Sequence, residues 1–189
     1  MVLTPSLMLP LGTPAPDFKL INVVTNKPCT LADVTGKKGL IVAFLCNHCP
    51  FVQHIWPVFN KLSQTFIESG IGVVAISAND VHHFPEDGPD AMKEMAETQK
   101  LSYPYLYDET QEVARAYQAA CTPDFYLFDA HLKCVYRGQF DGSRPDNDVP
   151  VTGEDLRHAV MALTAGVAND RPQKPSMGCN VKWRETPVF

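Results

Sequence analysis

A mixed α/β sandwich, with helices on both faces of one central sheet, is the fold class the sequence predicts. Three observations carry it. An apolar run containing β-branched residues, Leu40-Ile41-Val42-Ala43-Phe44-Leu45, leads through Cys46-Asn47-His48-Cys49-Pro50 into a segment of helical period. A second buried-strand run, residues 71–77, follows Gly70 and completes a βαβ unit, expected to cross over right-handed. Residues 125–129 and 133–139 then read as strands whose connecting turn is short enough only for antiparallel pairing.

The elements follow in order. Residues 1–36 form an N-terminal extension, with Ala15-Pro16-Asp17-Phe18-Lys19-Leu20 turning into a short strand and Cys29-Thr30-Leu31 making a second. Gly36-Lys37-Lys38-Gly39 punctuates the chain before the first core strand, residues 40–45. The helix after the cysteines places Phe51, Ile55, Val58, Phe59, Leu62 and Phe66 on one face, and Pro57 inside it predicts a kink. Trp56 and Phe59 belong to the core or the cleft wall. The continuous apolar run at 71–77 predicts a parallel strand covered on both sides. A polar loop over 78–89 leads to a helix ending at Lys100, with Met92, Met95 and Ala96 inward. Tyr105-Leu106-Tyr107 is a short strand, 109–118 a short helix, and 154–165 a final helix with Thr152 as its cap. Residues 1–165 are thus one domain. Residues 166–189, rich in proline and polar residues, form a C-terminal tail either packed on it or loosely attached.

Composition narrows the function. At 189 residues, with 45% hydrophobic and 20% charged, the chain can bury one sizeable core. A net charge of −5 offers no basic stripe for nucleic acid, and no apolar run approaches a membrane span. The first ten residues lack Lys and Arg and do not read as a secretory signal. A reducing cytoplasm is therefore the expected compartment, where CxxC beside a βαβ unit reads as a redox motif.

Two cysteines at a strand-to-helix junction sit where unpaired N–H groups and the helix dipole favour negative charge. A thiolate is that charge, and it is the nucleophile of disulfide exchange. Cys46, nearer the strand end, is expected to be the more exposed and the attacking sulfur. Cys49, one turn on, is expected to be partly covered and to resolve the mixed disulfide. His48 between them, as imidazolium, lowers the thiol pKa. No Asp or Glu occurs between Asp33 and Glu68, whereas Lys37, Lys38, His48, His54 and Lys61 do, so the local field favours the thiolate.

Cys46-Asn47-His48-Cys49 after a core strand, with Thr122-Pro123 before a later one, resembles the thioredoxin superfamily over residues 14–165. The resemblance implies a thioredoxin-like fold and a cis proline at Pro123 facing the CxxC. On that basis the Thr122-Pro123 backbone would align a partner chain as an added strand. His48 is similar to the motif of oxidising dithiol proteins. Cys46 to Val52, Ala120 to Phe125, Tyr136 to Asp141, Ser143-Arg144-Pro145, Pro150 to Gly153 and Pro175 to Trp183 are together similar to bacterial peroxiredoxin-like, redoxin-domain proteins. Two departures stand out. The core strand lacks the buried acid that thioredoxins place beneath the disulfide. In the peroxiredoxin pattern a Thr stands where Cys46 does, and the segment expected to hold an Arg reads Cys121-Thr122-Pro123, with Arg115 or Arg137 as candidates to reach the site instead.

The catalytic set expected is therefore Cys46, Cys49, His48, Thr122 and Pro123, with Asn47, Cys121 and Cys179 as accessories. Cys121 is either a third redox partner or a small residue packed at the cleft floor. Cys179, in the tail, is expected to be mobile enough to return as a resolving thiol. Cys29 and Cys134 read as half-buried strand residues. His82 and His83 read as solvated loop residues, and Glu86, Asp87 and Asp90 as a solvated turn. The function expected is a thiol–disulfide oxidoreductase without cofactor or metal. An antioxidant thiol peroxidase and a non-enzymatic metal-binding or redox-sensing module stay open as alternatives. The partners are then a protein or small-molecule disulfide or thiol, with neither nucleic acid nor membrane, and a homodimer is one admissible assembly.

Overall fold

The computed structural model describes residues 3–185. Strand β4, Gly39–Phe44, lies inside a seven-stranded mixed sheet and is buried along its whole length. It runs parallel to β5, Ile71–Ser77, and antiparallel to β8, Asp124–Asp129. The sheet is completed by β2 (Lys19–Asn22), β3 (Lys27–Thr30), β6 (Tyr105–Tyr107) and β9 (Cys134–Gly138), in the order β3-β2-β6-β5-β4-β8-β9. A second, three-stranded sheet pairs β1 (Leu3–Pro5), β10 (Met177–Asn180) and β7 (Cys121–Thr122), with β10 in the middle.

The uniform apolarity of β4 follows from its two covered faces. Ile41, Ala43 and Leu45 pack with residues of α2 (Pro50–Glu68), α3 (Pro89–Thr98) and α5 (Glu154–Thr164). Leu40, Val42 and Phe44 pack on the other side with α1 (Leu31–Val34), α4 (Glu112–Ala116) and Tyr117. Helix α2 opens with Pro50, whose missing N–H costs nothing at a first helical position, and continues through Pro57. It buries Val52, Ile55, Trp56, Phe59 and Phe66 against the sheet. Among the described residues no helix is long and apolar enough to cross a membrane.

Two local expectations are corrected. Helix α5 is capped by Gly153 in the left-handed region, without a side-chain cap from Thr152. The residues leading into it are tied down from elsewhere, since the Asp141 carboxylate accepts the N–H groups of Thr152 (2.7 Å) and Gly153 (2.6 Å). Residues 177–180, in the segment read as an irregular tail, form β10 and are locked between two other strands.

Candidate active site

Strand β4 delivers Cys46 just past its end, and Cys49 is the N-cap residue of α2. Both sulfurs face the loop closed by the cis Thr122–Pro123 bond. The Cys46 Sγ lies 3.2 Å from the Thr122 hydroxyl, and the Cys49 Sγ lies 3.2 Å from the Thr122 carbonyl oxygen. The sequence therefore located this junction and its opposing proline. The expected difference in exposure is absent: Cys46 is 1% exposed and Cys49 0%.

Cys179 is not on a mobile arm. Strand register sets it opposite Thr122, and its sulfur is 2.8 Å from that of Cys49. This pairing also corrects the expected role of the Thr122 edge, because β10 already occupies the place where a partner strand would add. Cys121 pairs with Asn180 across the same ladder, and its thiol lies 3.8 Å from the Pro123 carbonyl. Burial pushes that thiol up, so Cys121, 0% exposed, packs as a neutral thiol.

The three facing sulfurs divide their charge unequally. Hydrogen bonds with Cys179 and then with Cys46 hold the Cys49 thiol far below its ordinary value, helped by the Val52 N–H and opposed by burial. Cys46 is pushed up by burial, by Cys49 and by the Asp87 carboxylate, and Cys179 by Cys49 and burial. Negative charge in the cluster thus rests on Cys49 at the helix N-terminus. When Cys49 carries its proton, the S–H turns to the Thr122 carbonyl.

Asp87 is the residue the sequence reading missed. Expected in a solvated turn with Glu86 and Asp90, it is instead fully buried at the end of a short 3-10 turn, Pro85–Asp87, while its two acidic neighbours are exposed. One carboxylate oxygen accepts the N–H groups of Asn47 (2.8 Å) and His48 (3.1 Å). The other takes His48 Nδ1 (2.5 Å) and the Asn79 amide (2.7 Å). The fold therefore brings a buried acid to the CxxC from a loop, where the core strand supplies none. Cys46 Sγ, a His48 ring nitrogen and an Asp87 oxygen all lie within 4.8 Å of one another, which gathers a thiol, an imidazole and the carboxylate that holds it. His48 Nε2 is buried with no hydrogen-bond partner. These three donors could in principle hold a metal ion, but four hydrogen bonds already use the Asp87 carboxylate.

The CxxC loop is braced on its other side. Asn47 donates to the Glu86 carbonyl and accepts from the Tyr105 hydroxyl, and Gln53 donates to the Asn47 carbonyl. Phe84 stacks on His48 at 5.1 Å, and the Lys182 ammonium lies 5.5 Å from the Phe84 ring. The cleft beside Pro123, walled by Phe51, Phe140, Arg144 and Met177, holds only about 20 Å³. Neither arginine considered for peroxide chemistry reaches the sulfurs. Arg115 stacks over Trp183, and Arg137 bonds the Leu9 carbonyl and Gln173. His83, on the exposed loop, pairs with Asp80, and Cys29 and Cys134 are buried more completely than expected.

Residues 11–137 match the family described as AhpC/TSA. The chain belongs to the AhpC/TSA family. Over 125 residues this AhpC/TSA chain is 25% identical to the thiol-disulfide oxidoreductase ResA of Bacillus thuringiensis (strain Al Hakam), covering 66% of the chain and 67% of ResA. It is 50% identical to an uncharacterized conserved protein from Geobacillus kaustophilus, whose crystal structure superposes with a TM-score of 0.96 over 98% of both chains. A putative thiol:disulfide interchange protein DsbE from Chlorobium tepidum, 24% identical, shares the fold with a TM-score of 0.63 over 82% of this chain and 99% of that one. The fold of this AhpC/TSA protein is thioredoxin-like, as the motif resemblance implied, and its relatives include thiol–disulfide oxidoreductases.

Proposed function

We propose that the protein is a thiol–disulfide oxidoreductase in which Cys46 exchanges with a substrate disulfide and Cys49 resolves the mixed disulfide. The observation that carries this reading is the placement of Cys46 within 4.8 Å of both His48 and Asp87, with Cys49 capping α2 alongside. Cys46 is held protonated, so its reactivity comes from base assistance rather than from a low pKa. His48, oriented by Asp87, takes the Cys46 proton, and the sulfur attacks the disulfide and expels one substrate thiolate. The Cys49 thiolate then attacks Cys46 and expels the second, leaving Cys46–Cys49 oxidised and the substrate reduced by two electrons. An external thiol returns the pair to the dithiol.

Cys46 and Cys49 are 1% and 0% exposed, so exchange requires local opening at the CxxC loop. Relatives described as thiol–disulfide oxidoreductases support the exchange chemistry, with protein thiols and disulfides as the substrate class. Substituting Cys46→Ser is expected to abolish insulin reduction or model-dithiol turnover while the fold persists; retained turnover rejects the assignment.

One observation favours a second reading. A depressed Cys49 thiolate at a helix N-terminus followed by Pro50 suits a thiol peroxidase. Arg115 and Arg137 are engaged elsewhere, and the Arg144 guanidinium at the cleft wall is bonded to Gln139 and to the Asp141 and Ser143 carbonyls. This weighs the other way, because a peroxidase needs a free cation to meet the charge developing on the peroxide oxygen. Stopped-flow peroxide consumption no faster than that of a free thiol excludes it.

A further inference from the structure

Strand β10 fills the Thr122 edge from within the chain. Thr122 pairs with Cys179, and on the outer side Leu3 of β1 pairs with the same residue, so Cys179 is held from both flanks. The fit is close: a Cβ on Gly178 would fall 2.0 Å from the Thr122 carbonyl oxygen, so only glycine lets the two strands approach. The Cys179 sulfur is fully buried and 2.8 Å from Cys49, within roughly 1 Å of bonding distance. Cys121, one residue before Thr122, is directed at the Pro123 carbonyl instead.

We propose that Cys179 is a third redox-active thiol, docked by strand pairing rather than delivered by a flexible arm, which receives the disulfide as Cys49–Cys179. The proposal rests on the exchange chemistry above, which supplies the first disulfide. Cys179, losing its proton, attacks Cys49 Sγ of the Cys46–Cys49 bond. The Cys49–Cys179 bond forms, the Cys46–Cys49 bond breaks, and Cys46 leaves with the electron pair and takes up the proton. One disulfide and one thiol exist before and after, so no further oxidant is needed. The oxidising equivalents then reside in a bond between two fully buried residues, and Cys46 is again a thiol. The geometry agrees with this traffic, because the Cys49 sulfur lies 2.8 Å from that of Cys179 and next to that of Cys46.

The test oxidises the full chain with oxidised glutathione and maps disulfides by non-reducing peptide mass spectrometry. In Cys46→Ser, Cys49–Cys179 is expected as the sole intramolecular disulfide. In Cys179→Ser, only Cys46–Cys49 is expected, and wild type should contain both. Cys46→Ala run alongside covers disturbance of the buried site by a serine hydroxyl. Should both Cys46 variants carry only glutathione adducts while wild type forms Cys46–Cys49, the third thiol is overturned and the exchange reading stands. Wild type forming no intramolecular disulfide overturns both.

Discussion

Asp87 decides what His48 can do. Its carboxylate fixes the imidazole through Nδ1 and leaves Nε2 without a partner. An amide there keeps an acceptor for the backbone N–H groups but loses the charge that stabilises an imidazolium. Asp87→Asn is therefore expected to slow exchange roughly 10²-fold at neutral pH, with the deficit shrinking as alkaline pH ionises the thiol directly. A rate–pH profile superposing on wild type contradicts the role. The sequence could not signal this residue: Pro85-Glu86-Asp87-Gly88-Pro89 has the composition of a solvated turn, and only tertiary packing buries the aspartate. Asp124 gives a second prediction at this scale. Burial raises its carboxyl to about 7, against opposing bonds from the Tyr126 hydroxyl and the Phe125 N–H. The folded state thus holds this proton more tightly than the unfolded chain, so Asp124 costs stability progressively as pH rises from about 4 and fully above about 7. The cost is up to roughly 4 kcal/mol. Thermal melts at pH 5 and pH 8 are expected to differ less for Asp124→Asn than for wild type; an equal difference contradicts it.

At the scale of elements, the legible parts were those with a repeating pattern. Strands β4 and β5 and helix α2 announce themselves through six or more residues of apolar run or period, and the CxxC and Thr-Pro motifs fall at their ends. Strands β1, β7 and β10 span two to four residues and gain their identity from partners far away in the chain, so no local signal marks them. The third sulfur was consequently visible as a residue but not as a neighbour. Gly178→Ala tests this element. A methyl group cannot sit 2.0 Å from a carbonyl oxygen, so β10 must move off β7. A loss of about 1–3 kcal/mol in urea unfolding is expected. Thiolate absorbance should also titrate at higher pH, since Cys49 loses its first hydrogen-bond partner. A variant matching wild type in both measurements contradicts the close-packed strand pair.

At the scale of the molecule, the stretch after β10 is stitched across the site. Lys182 N–H bonds Asn79, which itself donates to Asp87, and the Lys182 carbonyl accepts from Asp80 N–H and the Gln111 amide. Trp183 lies 4.4 Å beneath the Arg115 guanidinium. Lys182 over the Phe84 ring and Phe84 on His48 carry this seam to the CxxC loop, and Cys46 is only 1% exposed, so reaching it requires this cover to open. Trp183→Ala removes the cation–π contact, worth about 0.5–1 kcal/mol. It is expected to speed alkylation of Cys46 by iodoacetamide in the native protein. An unchanged labelling rate means the cover is fastened elsewhere.

The docking of Cys179 also bears on synthesis. Translation makes it 130 residues after Cys49, so the growing chain completes β4, α2 and β5 while that sulfur does not yet exist. During this interval a newly made Cys49 lacks the neighbour that does most to hold its thiol below the ordinary value. The finished protein charges the same atom by setting its last-made strand against it.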